Sequence, residues 1–336
     1  MNIAFIVDSN KKIGGGHFYR SLNFAEFIKK NNKIFFFTKV ITLKQEILLK
    51  NKKFYLKKIL RKKNYFLDLK KLILDLKIDY LIIDNYQVSS MTKKKLKSFV
   101  KKLIVIDDRI NVKHYSDIFI NNNYLNKSDK LKIYNKNYEA KKFLGPECNF
   151  SLVPNFIHKP KKNIQNFFIF FGMIDNENYT FKVLNLLKNI KNLNLTVVVG
   201  IFNKNKKKIF SNFKTFRHIK LYENLKNTEM LKKLSKTDIS IGSGGVNLIE
   251  RISLGLPSIV ISKIKNQENG LKNLKKKKLV FHKKLSDLNE EFFIKILSSN
   301  NSNSIFKLQK NCYKEALRLK RKKIKFIKEL KKIILN

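Results

Sequence analysis

An α/β protein of two successive βα halves with a cleft between them is what this sequence predicts, and three observations carry it. Short apolar runs alternate with segments of helical spacing along most of the chain. Those runs are continuous, as in strands buried on both faces of a parallel sheet. The alternation lapses once, between Val153 and Asn166, where Pro154, Pro160 and the basic stretch Lys159 to Lys162 read as a linker, and then restarts.

The elements follow in order. Ile3 to Val7 is a strand ending at Asp8. Gly14-Gly15-Gly16 breaks the chain, and Phe18, Leu22, Ala25 and Ile28 then recur at helical spacing. Ile34 to Phe37 is a second strand. Tyr80 to Ile83 stops at Asp84, Leu103 to Ile106 at Asp107, and Ile118 to Ile120 at Asn121. In the second half Phe167 to Phe171 stops at Gly172, Thr196 to Val199 at Gly200, and Ile239 to Ile241 at Gly242; Ser258 to Ile261 follows Pro257. Strands ending in polar residues place those residues where ligands bind in open α/β sheets. One long helix from Ile305 to Leu335 is expected, with Leu308, Cys312, Ala316, Leu319, Phe326, Leu330 and Ile333 as its apolar stripe. Lys52 to Lys63 is too basic to place. The domains are set at 1–155 and 163–336.

Composition narrows the class. The 336 residues carry 73 Lys+Arg against 25 Asp+Glu, a net charge of +48, yet 43% are hydrophobic, enough for a core. Only seven of the basic residues are Arg, and Lys is spread evenly. A nucleic-acid surface favours the bidentate fork of Arg. Lys, Asn, Ile and Phe are over-used together, which codon bias explains, so no nucleic-acid partner is expected. The positive field would still draw anionic substrates. No apolar run approaches the roughly 20 residues of a membrane span. The start of the chain does not read as a signal peptide, so a cytoplasmic protein without stable membrane association is expected. Two distant cysteines, Cys148 and Cys312, exclude a disulfide framework and suit a reducing compartment. A monomer is expected.

Three motifs can carry chemistry. Ile13-Gly14-Gly15-Gly16-His17 follows the first strand and opens a helix. Glycines let backbone approach a ligand, and the unpaired N–H groups of a helix start attract an anion. It is no dinucleotide fingerprint, because Tyr19 holds the third glycine position, and no Lys-Ser/Thr makes it a Walker loop. A helix start disfavours protonation of His17, which leaves a neutral imidazole able to act as general base. The second motif, Gly242-Ser243-Gly244-Gly245-Val246-Asn247 followed by Glu250, offers a phosphate cradle and a carboxylate for a ribose. The third, Asn266-Gln267-Glu268, supplies amides suited to sugar or base edges. Asp84-Asn85-Tyr86 and Asp107-Asp108-Arg109 also lie at strand ends. Neither they nor the remaining histidines show metal-ligand spacing, so no metal and no cofactor is expected.

Together these residues resemble one family. They are Asp8-Ser9, Ile13-Gly14-x-Gly16-His17-x-x-Arg20, Leu81 to Tyr86, Asp107-Asp108, Asp117 to Asn121, Phe170-Phe171-Gly172 to Asp175, Gly244 to Glu250 and Asn266-Gln267-Glu268. The likeness spans roughly residues 1–280 and is to the PseG-type hydrolases of pseudaminic acid biosynthesis, which release UDP from a UDP-linked 2,4-diacetamido-2,4,6-trideoxy-β-L-altropyranose. The resemblance implies two Rossmann-like domains facing across a cleft, the GT-B architecture of the MurG transferase, with His17 opposite the Gly244-Gly245 turn. It assigns His17, Tyr86 and Asp8 to catalysis. Gly14, Gly16, Arg20, Gly172, Asp175, Gly244, Gly245, Glu250, Asn266 and Gln267 are assigned to the UDP-sugar substrate, with the diphosphate on the Gly244-Gly245 turn, the ribose on Glu250 and the sugar on the two amides. Three positions depart from the family: Ile6 replaces its Arg, Asn85 its frequent His, and Met173-Ile174 its small or hydroxylated pair. The alternatives are a GT-B glycosyltransferase passing the sugar to another acceptor and an idle nucleotide-sugar binder.

Overall fold

The computed structural model describes the chain except residues 11–13, 60–64, 151–155, 191, 224, 226, 262–267, 298–301 and 336. It divides into two compact units, one of Met1–Leu152 with Lys323–Asn336 and one of Val153–Lys322.

The first unit holds a seven-stranded sheet of β1 (Asn2–Ile6), β2 (Lys33–Thr38), β3 (Tyr55–Lys58), β4 (Tyr80–Ile83), β5 (Lys102–Ile106), β6 (Ile118–Asn121) and β7 (Lys141–Leu144), in the order β3-β2-β1-β4-β5-β6-β7. Every pairing is parallel, so each return crosses the sheet through a connection, four of which carry the helices α1 (Gly16–Ile28), α2 (Leu43–Asn51), α3 (Tyr65–Asp75) and α4 (Ser90–Lys97). A fifth helix, α5 (Lys127–Lys136), joins β6 to β7. The register sets Phe5 between Phe36 and Ile82. Phe5 stacks on Phe36 at 5.2 Å and meets the edge of Phe24 from α1 at 5.6 Å. Phe18, Leu22, Ala25 and Ile28 of α1 all enter this core, as their spacing predicts.

The second unit repeats the plan with β8 (Asn166–Phe170), β9 (Asn194–Val199), β10 (Ile219–Glu223), β11 (Ile239–Gly242), β12 (Ser258–Ile261) and β13 (Val280–Lys283), ordered β10-β9-β8-β11-β12-β13 and again parallel. Its helices are α6 (Tyr179–Leu187), α7 (Lys206–Phe213), α8 (Asn227–Leu234), α9 (Val246–Ser253), α10 (Glu268–Lys276) and α11 (Glu290–Leu297).

The last helix, α12 (Ser302–Leu335), supplies both units. Ile305 joins the second unit's core, whereas Phe326, Leu330 and Ile334 belong to the first unit's. Phe326 lies 5.1 Å from the Phe143 ring and 5.6 Å from Phe150. The buried residue near the end is Ile334, not Ile333, because 326, 330 and 334 repeat at four-residue spacing and Ile333 is only partly covered. The final turns therefore group with the first unit, where the sequence placed all of 163–336 in the second. Among the described residues no helix is long and apolar enough to cross a membrane.

Candidate active site

In the first unit the ends of β4, β5 and β6 bring Asp84, Asp108 and Asn122 onto His17 and Arg20 in the first turns of α1. The loop before α1 is fixed from below. Gln45 Nε2 donates to Ser9 Oγ (2.8 Å), and Ser9 Oγ donates to the Gly14 carbonyl (2.8 Å). Gly14 has φ +82°, a left-handed conformation that glycine adopts without strain. Gly16 is the first, exposed residue of α1, and Gly15 before it offers no side-chain cap.

Asp84 is the hub. Its Oδ1 lies 2.6 Å from His17 Nδ1 and accepts from Arg20 Nη2 at 2.6 Å; its Oδ2 accepts from Arg20 Nε at 2.8 Å and from Ser21 Oγ at 3.3 Å. His17, Arg20 and Ser21 lie within two turns of α1, so one helix delivers all three donors. Burial by itself would raise the Asp84 carboxyl, but the charge of Arg20 and the hydrogen bonds from Arg20 and His17 hold it well below the usual carboxylate range. Burial also opposes the charge on Arg20, which Asp84 and Asp108 nonetheless keep firmly protonated. With Asp84 ionised, the proton between it and His17 belongs on Nδ1. Arg20 Nη2, 3.2 Å from the same Nδ1, has only N–H to offer and cannot take that role. Nε2 is thus the His17 nitrogen left to accept a proton, on a side chain 17% exposed.

A second carboxylate flanks the hub. Asp108 accepts from Arg20 Nη1 at 3.2 Å and from the Tyr86 hydroxyl at 2.7 Å. The Tyr86 ring meets the edge of the His17 ring at 4.6 Å, and the Arg109 guanidinium lies 5.0 Å from its centroid. Burial and the Asp108 charge raise the Tyr86 phenol, so it stays protonated and its oxygen remains an acceptor. Asn122 Oδ1 takes a further Arg20 bond at 3.2 Å. Behind this layer Arg109 forks onto Asp107, and fully buried His114 lies between Asp107 (3.8 Å) and Lys93 Nζ (3.1 Å). Burial pushes Lys93 down to about 8, and burial with the Lys93 charge pushes His114 down to about 3.

The structure assembles His17 and Tyr86 around Arg20. The role of Arg20 is internal. It is 3% exposed, with its donors on Asp84, Asp108 and Asn122, and it organises the site rather than reaching a substrate. Asp8 stands apart. Its Oδ1 accepts from Thr38 Oγ1 (3.0 Å) and the Lys39 N–H (2.7 Å), and its Oδ2 from Asn85 Nδ2 (2.8 Å). Asp8 therefore anchors the loop after β2, and none of these bonds goes to His17. Asn85 is spent on the same anchor and on the Gln87 N–H, while Ile6 lies in the core.

In the second unit β11 leads through residues 243–245 into α9. Gly242 is obligatory, since a Cβ there would collide with the Phe170 carbonyl. Ser243, Gly244 and Gly245 are partly exposed, and Gly245 leaves the start of α9 without a side-chain cap. Glu250 is half-buried one turn into α9. Gly172, at φ +93°, turns the chain after β8, and its carbonyl abuts Gly200. Asp175 is occupied: Oδ1 accepts from the Tyr179 N–H and Oδ2 from the Thr180 N–H, both at 2.8 Å, so it caps α6 and closes that helix start to any other anion. Asn266 and Gln267 lie outside the described residues. Among the described residues no group of three or more His, Cys, Asp or Glu is placed to hold a metal. Sequence reasoning missed Asp84 as the partner of His17, although its place at the end of β4 was the signal.

No protein-family model matches the chain. The chain is 29% identical over 310 residues to the uncharacterized protein MJ1062 of Methanocaldococcus jannaschii, covering 88% of this chain and 62% of that protein's length. It is 25% identical over 286 residues to the spore coat polysaccharide biosynthesis protein SpsG of Bacillus subtilis, covering 80% of this chain and 79% of the relative. Among solved structures, MurG of Acinetobacter baumannii superposes with a TM-score of 0.63 at 11% identity, over 94% of this chain and 96% of that one. HepE of Anabaena in complex with UDP-glucose gives 0.62 at 9% identity, over 98% and 100%. These likenesses give the fold: two Rossmann-like units of the GT-B type with a long C-terminal helix.

Proposed function

We propose that this chain processes a nucleotide sugar in surface-polysaccharide biosynthesis. The reaction we infer is hydrolysis of a UDP-linked deoxy-diacetamido sugar, supplying nonulosonic (pseudaminic) acid biosynthesis in the cytoplasm. The observation that carries it is the buried Asp84–His17 pair at the start of α1, which leaves His17 Nε2 as a base. The name of SpsG supports a place in polysaccharide biosynthesis, and the UDP-glucose bound to HepE supports a nucleotide-sugar partner.

In this reading His17 Nε2 takes a proton from water, whose oxygen bonds to the anomeric carbon. The bond from that carbon to the diphosphate oxygen breaks, and UDP departs with its electron pair. Asp84 stabilises the imidazolium that forms and holds the ring in one orientation. Gly244, Gly245 and Glu250 hold the diphosphate and ribose, where the α9 N–H groups offset the charge of the leaving group. Tyr86 accepts a hydrogen bond from the sugar through its oxygen.

A glycosyltransferase is the second reading, favoured by the likeness to MurG. Phosphorus NMR of the purified protein with candidate UDP-sugars decides between them. UDP release with no acceptor present supports hydrolysis, and release only when an acceptor is added supports transfer. No release in either condition leaves a binder.

A further inference from the structure

Arg251 is buried beneath the Gly242–Gly245 turn, 3% exposed, and among the described residues its hydrogen-bond partners are neutral. Nη2 donates to the Ser243 carbonyl (2.8 Å), Nη1 to Ser240 Oγ (3.2 Å) and Nε to the Asn247 carbonyl (3.2 Å). Arg20, Arg109 and Arg318, by contrast, each bond to a carboxylate. Burial pushes Arg251 down to about 10, and the neighbouring charge of Glu250 offsets only part of this.

A neutral side chain would brace the turn at less cost than a buried guanidinium hydrogen-bonded to no carboxylate among the described residues. The surroundings add to that cost, because the net charge is already +48 and the start of α9 is itself the positive end of a helix. The fold nevertheless makes room for it: a Cβ on Gly242 would lie 3.1 Å from Arg251 Nη1. Positive charge gathered at one partly exposed turn, offset only in part by Glu250 and hydrogen-bonded to no carboxylate among the described residues, is complementary to an anion from outside the chain.

Resting on the nucleotide-sugar reading above, we propose that Arg251 is the positioning residue for the diphosphate. Its guanidinium fixes the turn through the Ser243 carbonyl and supplies the charge that makes the turn prefer a nucleoside diphosphate to a nucleoside. The agent is the charge, not the packing.

The test is calorimetric binding of UDP and of uridine to the wild type, Arg251→Gln and Arg251→Lys, with folding checked by circular dichroism. The wild type is expected to prefer UDP over uridine by about 10-fold or more. Arg251→Gln, which keeps a donor and loses the charge, should cut that preference about 10-fold and leave uridine affinity within about twofold. Arg251→Lys should restore most of it. An unchanged preference in Arg251→Gln, or equal loss of UDP and uridine in both variants, overturns the proposal. Should Arg251→Gln not fold, loss of the preference in folded Arg251→Lys overturns it alone. A wild type indifferent to UDP is instead the failure of the nucleotide-sugar reading.

Discussion

Asp84 grips Arg20 through both carboxylate oxygens while its Oδ1 also sits 2.6 Å from His17 Nδ1. One buried carboxylate thus fixes the charge of the site and the tautomer of its base together. Its two partners stand three residues apart on α1, so a single helix turn sets the geometry.

Replacing His17 by Asn or Leu is expected to lower turnover by about 10²–10⁴-fold, the usual contribution of a general base. UDP affinity should hardly change, because the nucleotide is assigned to residues of the second unit. Near-normal UDP release by folded His17→Leu, followed by phosphorus NMR, would defeat the mechanism.

Asp84→Asn should be costly twice. Arg20 would lose its bidentate partner in the interior, a loss of about 3–5 kcal/mol in stability. The Asn could also present its amide to His17 and reverse the tautomer, lowering kcat more than it raises KM. Urea denaturation and steady-state kinetics on the same preparation separate the two effects.

Glu250→Ala is expected to weaken UDP binding by about 1–3 kcal/mol, the value of a charged hydrogen bond. Asp175→Ala should do the opposite of what its sequence motif suggests. It should leave UDP affinity unchanged and cost about 0.5–2 kcal/mol in stability, because Asp175 caps α6. Calorimetry and thermal melts of the two variants give contrasting results if these assignments hold.

The pair Lys93 and His114 should shape stability against pH. His114 is pushed down to about 3 when folded, so between that value and the ordinary histidine range near 6.5 the unfolded chain alone binds its proton. Stability from this group is therefore full above about 6.5 and falls as pH drops toward 3. Lys93, pushed down to about 8, behaves likewise higher up: its contribution rises with pH between 8 and the ordinary lysine value near 10.4. His114→Gln should flatten the acid limb of the melting temperature plotted against pH.

The sheets were legible where strands are central and illegible at their rims. β1, β4 and β11 are buried and read as apolar runs. The four strands missed, β3, β7, β10 and β13, are the four sheet edges, and their sequences YLKK, KKFL, IKLYE and VFHK mix lysine or other polar residues into the pattern. An edge strand is covered on fewer sides, and charge there guards against further pairing, so periodicity fails for a physical reason. At the site, glycines flagged the turns, and strand-terminal acids flagged the right places. Which acid does what was not legible. Asp8, Asp84 and Asp175 look alike in sequence, yet one anchors a loop, one orients a base and one caps a helix, because partners distant in sequence decide their roles.

The final turns of α12 complete a core that began at residue 3. On the ribosome, then, the first unit emerges lacking Phe326, Leu330 and Ile334 and must wait, with part of its apolar surface open, until the second unit has been synthesised. A polypeptide of residues 1–152 made alone would stay in that unfinished condition, prone to aggregate. Adding residues 323–336 as a separate peptide should restore its solubility.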